Sequence, residues 1–199
     1  QPLANTRIIA ESGFNFSDTN SGNVSTSIPV TFTDVDLTDV GHTASITNVV
    51  ASGITTGLTL DTPALLALVN TGTVTKVSGS TSGSTNLNFS APASALDYLG
   101  EGQVLTLTYT VSVNDGDGGI DTEQVTINIT GTNDVPTLST ISTLTGASED
   151  VYKEITYTEL AAAANEADID SSNLSFRIES ISSGSLQKLS GTNWVDVTA

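Results

Sequence analysis

Apolar and polar residues alternate along most of the chain with a period of two. In the runs 105–113 and 125–129, every second residue is apolar. This period places alternate side chains on opposite faces of a β-strand, so each run predicts a strand with one buried face. The first part of the chain contains seven such runs: "TRIIA", "VSTSIPVTF", "HTASITNVV", "GTVTKV", "TNLNF", "VLTLTYTVSV" and "EQVTINIT".

Gly, Ser, Asn and Asp separate these runs, as expected for turns. Seven short strands at this spacing predict an all-β fold, an antiparallel β-sandwich with Greek-key connections.

Two helical turns interrupt the pattern. "DTPALLALV" offers Asp61 or Thr62 as N-cap, with Pro63 at the first helical position, and "APASALDYL" is similar. We expect both turns to lie in connections between the sheets.

The pattern restarts after Pro136, which predicts two domains: a complete sandwich at 1–136 and a second domain at 137–199. "STLTGASEDVYKEITYTEL" and "NLSFRIESISSGSLQKL" predict strands around a short capped helix, "TELAAAA". These strands are too few for seven, so the second domain is expected to be a partial β-sandwich in tandem. Because unpaired strand edges recruit other strands, we expect this domain to be less ordered or to pair with a neighbouring chain. Trp194 is expected in its core.

Composition excludes several function classes. Five Lys and Arg against 22 Asp and Glu give a net charge of −17, which argues against binding nucleic acid or anionic membranes. No apolar run approaches the roughly 20 residues of a spanning helix, so we expect no membrane insertion. The chain has no Cys and one His, His42, which is expected to be structural. With no nucleophile elbow and no aromatic platform beside its carboxylate pairs, the sequence predicts no enzyme.

Acidic residues concentrate in the predicted connections. If the strands of the first domain alternate in direction, its odd-numbered connections meet at the end where the chain leaves, here named the C-pole. The even-numbered connections meet at the opposite end, the N-pole. The residues expected at the C-pole are Glu11, Asp97, Glu101, Asn133 and Asp134. Those expected at the N-pole are Asp34, Asp36, Asp39, Asp115 and Asp117. Asp168 and Asp170, in "EADID", are expected at the N-pole of the second domain, facing the C-pole of the first.

These oxygen-rich clusters predict a metal site. Lys and Arg are too few to neutralise the carboxylates, so a bound cation is the expected partner. Ca²⁺ accepts about 6–8 oxygen ligands in flexible geometry, and Asn133 adds a neutral oxygen. The run "DGDGG" at 115–119 begins like an EF-hand loop, but Thr126 stands where that loop ends in Glu. For this run, a Gly-rich hairpin turn and a role in the N-pole cluster are equal alternatives.

The motifs Glu11-Ser-Gly13, "TDVDLTD", "ALDYLGEGQ", "TYTVSVNDGDGG" and "TGTNDVP" together resemble a VCBS-type repeat. That repeat is a cadherin-like (immunoglobulin-like) β-sandwich found in tandem arrays of very large secreted bacterial RTX adhesins. The resemblance covers nearly all of 1–136, and the second domain is similar to the front half of another bacterial cadherin-like repeat. It implies Ca²⁺ at the domain junction, held by Glu11, Asp97, Asn133, Asp134, Asp168 and Asp170. Gln103 departs from the pattern, since related repeats often carry Glu there, and Glu101 is the substitute ligand.

The resemblance implies a non-catalytic extender of an extracellular adhesin on a bacterial cell surface. Calcium would stiffen it, its partners would be neighbouring repeats of the same chain, and it would project distal binding domains for adhesion or biofilm formation. Two alternatives stay open: a sandwich that binds carbohydrate or protein, and a spacer domain of a secreted multidomain enzyme. Aromatic residues make up only 5% of the chain, which offers little material for a binding platform.

Overall fold

The computed structural model describes residues 7–10, 14–17 and 22–197. The chain divides into two compact units, 1–134 and 135–199, whereas the sequence predicted a boundary after 136. The elements of the first unit are β1 (Arg7–Ala10), β2 (Phe14–Ser17), β3 (Asn23–Thr33), β4 (Thr43–Gly53), α1 (Thr62–Ala67), β5 (Val69–Thr71), β6 (Thr75–Lys76), β7 (Ser82–Pro92), a 3-10 turn (Ala93–Ala95), β8 (Val104–Asn114) and β9 (Ile120–Thr130). Those of the second are α2 (Tyr157–Ala163), β10 (Gln187–Ser190) and β11 (Asn193–Asp196).

The strands of the first unit form two sheets. One has the order β1-β3-β7-β5, with β6 also paired to β7, and the other has the order β2-β9-β8-β4. Neighbouring strands are antiparallel except β2 and β9, which are parallel. This is the strand order of an immunoglobulin-like sandwich with Greek-key connections. The predicted all-β sandwich is therefore confirmed.

The core follows from the two-residue period. Along β8, every second residue from Leu105 to Val113 is buried. Phe32 and Phe89 from one sheet and Tyr109 from the other are the largest fully buried side chains. The Tyr109 hydroxyl donates a hydrogen bond to the carbonyl oxygen of Leu65 at 2.9 Å, so a buried polar group is satisfied and α1 is tied to the core.

Local signals placed some elements better than others. Asp61 is the N-cap of α1, and its side chain accepts a hydrogen bond from the Ala64 N–H at 2.9 Å. Of the run "GTVTKV" at 72–77, only Thr75–Lys76 forms a strand, β6, which pairs with β7. Strand β2 was not predicted, since "FNFS" alternates over only four residues. It joins the second sheet, whereas β1 lies in the first.

The second unit has little regular structure in its described part. Helix α2 begins with a capping box, in which the Thr156 and Glu159 side chains each bond the other residue's backbone N–H. The hairpin β10-β11 is the only sheet described at 135–197, and no residue of this range is buried. Trp194 on β11 is 53% exposed, so its expected place in a core is wrong. The described part of this unit provides no second sheet to cover it.

No helix within the described residues is long and apolar enough to cross a membrane.

The burial difference between the units predicts unequal responses to the same substitution. Leu107→Ala, at a fully buried position on β8, should destabilise the first unit by about 2–5 kcal/mol, because it leaves a cavity. Leu189→Ala, at a position on β10 that is 58% exposed, should change stability by less than about 0.5 kcal/mol. Urea unfolding followed by circular dichroism measures both variants, and equal effects would contradict the assignment of the core.

Candidate metal sites at the poles of the first sandwich

The strand registers bring two acidic loops together at the N-pole. Thr43 at the start of β4 pairs with Asn114 at the end of β8, so the β3-β4 loop and the β8-β9 loop emerge at the same end. In the first loop, Asp34, Asp36 and Asp39 each offer a carboxylate oxygen within 4.8 Å of the others. No other group of three acidic, His or Cys side chains within the described residues meets that distance.

Asp34 is the buried centre of this cluster. One of its carboxylate oxygens accepts a hydrogen bond from the Asp36 N–H at 2.9 Å, and the other lies 2.8 Å from His42 Nε2. The His42 ring is buried and stacks on Phe32, with centroids 5.0 Å apart. These contacts give His42 the structural role expected from the sequence. Its Nδ1 atom is buried without a hydrogen-bond partner in the described part of the chain.

Lys76 lies at the same centre, which the sequence reasoning missed. Its Nζ donates hydrogen bonds to the carbonyl oxygens of Asp36 and Asp39, each at 2.7 Å, and lies 3.8 Å from Asp34 Oδ2. The side chain is fully buried. The sequence did contain a signal that the Lys76 side chain is buried. Lys76 follows Val74 by two residues, and Val74 packs against the core. In a period of two, the lysine therefore points inward, where a cation needs negative partners.

The carboxylates at the N-pole outnumber the positive charge of Lys76. Partial burial raises the pKa of the Asp39 carboxyl, and the charges of Asp117, Asp36, Asp34 and Asp115 raise it further. Asp115 behaves differently. Burial alone would raise its pKa, but the N–H groups of Asp117, Gly119 and Gly118, together with His42, outweigh this, so the net shift is downward. Asp115 Oδ1 accepts hydrogen bonds from the N–H groups of Asp117 and Gly119, both at 2.8 Å.

"DGDGG" is therefore a hairpin turn whose acidic side chains also lie at the N-pole. Gly116 and Gly118 have positive φ angles of 89° and 104°, which only glycine adopts easily. The backbone of this run turns the hairpin, whereas a role of its carboxylates in binding a metal stays a prediction.

At the C-pole, the structure holds the loop before β8 against the segment that leaves β9. Gly102 donates its N–H to the Gly131 carbonyl at 3.0 Å, and Gly131 donates to the Gln103 carbonyl at 2.8 Å. A Cβ added to Gly131 would lie 2.3 Å from the Leu99 carbonyl oxygen, so the close approach requires glycine. Gln103 uses its side-chain oxygen to accept the Gly100 N–H at 3.1 Å.

These contacts place the C-pole candidates near one end of the sandwich, but they do not bring the candidate side chains together into one cluster. Asp97 follows the 3-10 turn, Glu101 is exposed, and the Asn133 amide donates a hydrogen bond to the Asp134 carbonyl. Asp97, Glu101 and Asp134 form no compact three-carboxylate group. Glu11 lies outside the described residues.

In the second unit, Asp168 and Asp170 form a local pair. A hydrogen bond shared between the Asp168 and Asp170 side chains, with the N–H groups of Asp170 and Ser171, lowers the pKa of Asp168. The Asp170 N–H donates to Asp168 Oδ1 at 3.2 Å. Asp134 belongs to the first unit and this pair to the second, and their joint coordination of a metal stays a prediction.

No protein-family model and no curated protein matches the chain. Among solved structures, the chain is similar to AggA, the major subunit of aggregative adherence fimbriae type I from Escherichia coli. The identity is 11% and the TM-score is 0.31, with 65% of this chain and 97% of that chain covered. At this TM-score, the likeness carries no argument about function.

Removing the buried cation at the N-pole should unfold the acidic loop. Lys76→Met keeps the length of the side chain but removes the positive charge beside Asp34 and leaves the carbonyl oxygens of Asp36 and Asp39 without their donor. We expect a loss of about 3 kcal/mol of stability, as when one partner of a buried ion pair is removed. Lys188→Met, at an exposed position on β10, is the matched control. Equal unfolding midpoints in urea would show that Lys76 does not hold this loop.

Asp39 should make stability depend on pH in a defined direction. A raised pKa in the folded state means that its contribution is favourable below the ordinary Asp value and is lost as pH rises through the folded value. In chelator, Asp39→Asn should therefore raise the melting temperature at pH 7, and the gain should vanish near pH 3. Asp150→Asn, at an exposed position of the second unit, removes one negative charge away from the N-pole and should not raise the melting temperature at pH 7. A loss of stability in Asp39→Asn at pH 7 would contradict the repulsion.

Proposed function

We propose that the chain is a calcium-rigidified, non-catalytic extender module of an adhesin on the outside of a bacterial cell. Its partners are neighbouring repeats of the same chain, which it aligns to hold distal binding domains away from the surface. The observation that carries this proposal is the clustering of acidic side chains at the N-pole, where Asp34, Asp36 and Asp39 bring carboxylate oxygens within 4.8 Å of one another.

The charge balance at the N-pole supports a bound divalent cation. Five carboxylates, those of Asp34, Asp36, Asp39, Asp115 and Asp117, influence one another there. Lys76 is the single buried ammonium beside them in the described part of the chain. One positive charge leaves most of the cluster uncompensated, and the neighbouring carboxylates add to the effect of burial in raising the pKa of Asp39. A calcium ion supplies two further positive charges and prefers oxygen ligands.

The available oxygens define which residues would hold the ion. Both oxygens of Asp34 are engaged by His42 and the Asp36 N–H, so Asp34 supports the loop. The side chains of Asp36, Asp39 and Asp117 have no hydrogen-bond partner within the described residues. These three carboxylates are the ligands proposed at the N-pole, with water completing the coordination.

The path of the chain supports the role of an extender. Arg7, at the start of β1, pairs with Thr33 at the N-pole, and Thr130, at the end of β9, pairs with Val104 at the C-pole. The chain therefore crosses the sandwich from one pole to the other, as a module in an end-to-end array requires. In this proposal, a calcium ion shared by Asn133, Asp134, Asp168 and Asp170 would offset repulsion between the acidic residues of the two units and stiffen the joint.

Calcium should stabilise this protein and straighten its joint. At a hundredfold excess over its dissociation constant, a ligand that binds only the folded state adds about 2.7 kcal/mol. We expect the melting temperature to rise in calcium compared with chelator at equal ionic strength. Small-angle scattering of the same samples should show a longer and narrower distribution of distances in calcium.

Single substitutions test the candidate sites at the two poles separately. Asp134→Ala and Asp168→Ala should broaden the scattering distribution in calcium without lowering the stability of the first sandwich. Asp117→Asn should weaken the thermal effect of calcium and leave the joint straight. It is a better N-pole variant than any change of Asp34, whose loss would leave buried Lys76 and His42 unpaired. An unchanged melting temperature in chelator would refute the calcium proposal.

A further inference from the structure

Lys76 and Asp34 bring a buried amine and a buried carboxyl group side by side. The Lys76 Nζ atom lies 3.8 Å from Asp34 Oδ2, and the two side chains are 0% and 2% exposed. The two residues come from different segments, because Asp34 directly follows β3 and Lys76 ends β6. An amine and a carboxyl group condense to an amide when they are held together and water is kept away, and both conditions are met here.

The buried surroundings disfavour charge on this pair. An ammonium and a carboxylate lose their hydration on burial, and only close pairing and hydrogen bonds offset that cost. At 3.8 Å, the two groups are farther apart than directly hydrogen-bonded atoms. Passage of one proton from Nζ to the carboxyl group gives a neutral amine beside a neutral acid, and these are the forms that react.

The contacts of Lys76 direct its nitrogen toward the carboxyl group. Nζ donates hydrogen bonds to the carbonyl oxygens of Asp36 and Asp39, each at 2.7 Å. A neutral amine has two N–H bonds and one lone pair. Because these two carbonyl oxygens occupy both N–H bonds, the lone pair is left for the third neighbour of the nitrogen, Asp34.

The contacts of Asp34 prepare both of its oxygens for such a reaction. Oδ1 accepts a hydrogen bond from the Asp36 N–H at 2.9 Å, and this donor stabilises negative charge that develops on the oxygen during attack. Oδ2 lies 2.8 Å from His42 Nε2, which can donate a proton to the oxygen that departs. A nucleophile, an electrophile, an oxyanion donor and an acid therefore meet in one buried cluster.

We propose that Lys76 and Asp34 form an intramolecular amide bond in the folded chain, which links β6 covalently to the end of β3. Nζ bonds to Cγ of Asp34, the Cγ–Oδ2 bond breaks, and Oδ2 leaves as water with two protons that Nζ gives up. The amide keeps one N–H for a carbonyl oxygen, and the step needs no oxidant, reductant or co-reactant. The bond forms once in each chain, so the module is no enzyme. The proposal goes beyond the proposed function, because the bond requires neither calcium nor a neighbouring repeat.

Lys153 provides a contrast within the same chain. Its Nζ lies 2.6 Å from Glu159 Oε1, closer than Lys76 is to Asp34, but the two side chains are 30% and 40% exposed. Water solvates both charges there, so the pair stays ionised and no amide is expected. Burial, and not distance alone, distinguishes the two lysines.

Mass spectrometry of the denatured chain tests the bond. We expect the chain to be lighter than its sequence mass by one water molecule. Trypsin should cut after Lys153 but not after Lys76, because it does not cut after an acylated lysine. Lys76 is the only Lys or Arg between Arg7 and Lys153, so the fragment 8–153 should stay whole and carry the loss of water. Chymotrypsin should then release Asp34 and Lys76 in one branched peptide.

Asp34→Ala is the matched variant, and it should keep its full mass and be cut after Lys76. Three outcomes would overturn the proposal. The first is a native chain of full sequence mass that trypsin cuts after Lys76. The second is a loss of water confined to the fragment 77–153, as when an Asp-Gly sequence of the β8-β9 loop closes to a succinimide. The third is a loss of water that persists in Asp34→Ala.

His42→Gln tests the proton donor. Glutamine keeps an N–H that can bond Asp34, but it does not release a proton. In freshly synthesised protein that circular dichroism shows to be folded, the bonded fraction of this variant should rise at least about a hundredfold more slowly. Equal rates would refute the role of His42. All samples are kept in chelator, so a chain without the amide would leave the calcium proposal standing, and a chain that binds no calcium would leave the amide standing.

Discussion

The two-residue period of the long strands is the constraint on which the rest of this structure depends. It divides each strand into an apolar face and a polar face, so the two sheets of the first unit close over Phe32, Phe89 and Tyr109. Because β3, β4, β7, β8 and β9 have the same length, eleven residues each, their ends coincide at two poles. The acidic loops connect these strand ends, so they lie at the poles. The charge cluster at the N-pole is a consequence of strand pairing.

That cluster is held by a cation that the chain itself supplies. Lys76 bonds two carbonyl oxygens of the β3-β4 loop and lies beside the Asp34 carboxylate, while His42 bonds the same carboxylate from a buried position. Buried charge of this kind is tolerated only when it is paired. The arrangement separates two roles within one cluster. Asp34 gives the loop its shape, and Asp36, Asp39 and Asp117 carry the carboxylates proposed as calcium ligands.

Sequence alone determined much of the first unit, because its signals are local. Alternation in "VLTLTYTVSV" and "EQVTINIT" predicted β8 and β9, and Asp61 with Pro63 predicted α1. The expectation that Asp34, Asp36 and Asp39 share a pole with Asp115 and Asp117 needed only alternating strand directions. The positions of Asp97 and Glu101 beside the exit from β9 followed from the same argument.

Tertiary structure decided what depends on partners distant in the chain. Strand β2 forms because the edge of β9 pairs with a four-residue segment. The alternation within that segment is too short to predict a strand. Lys76 neutralises part of the N-pole because β6 and the β3-β4 loop meet around β7, although forty residues separate Lys76 from Asp36. Trp194 is exposed because the described part of its unit has no facing sheet. Each of these outcomes depends on which segments far apart in the sequence come into contact. The pattern of neighbouring residues does not carry that information.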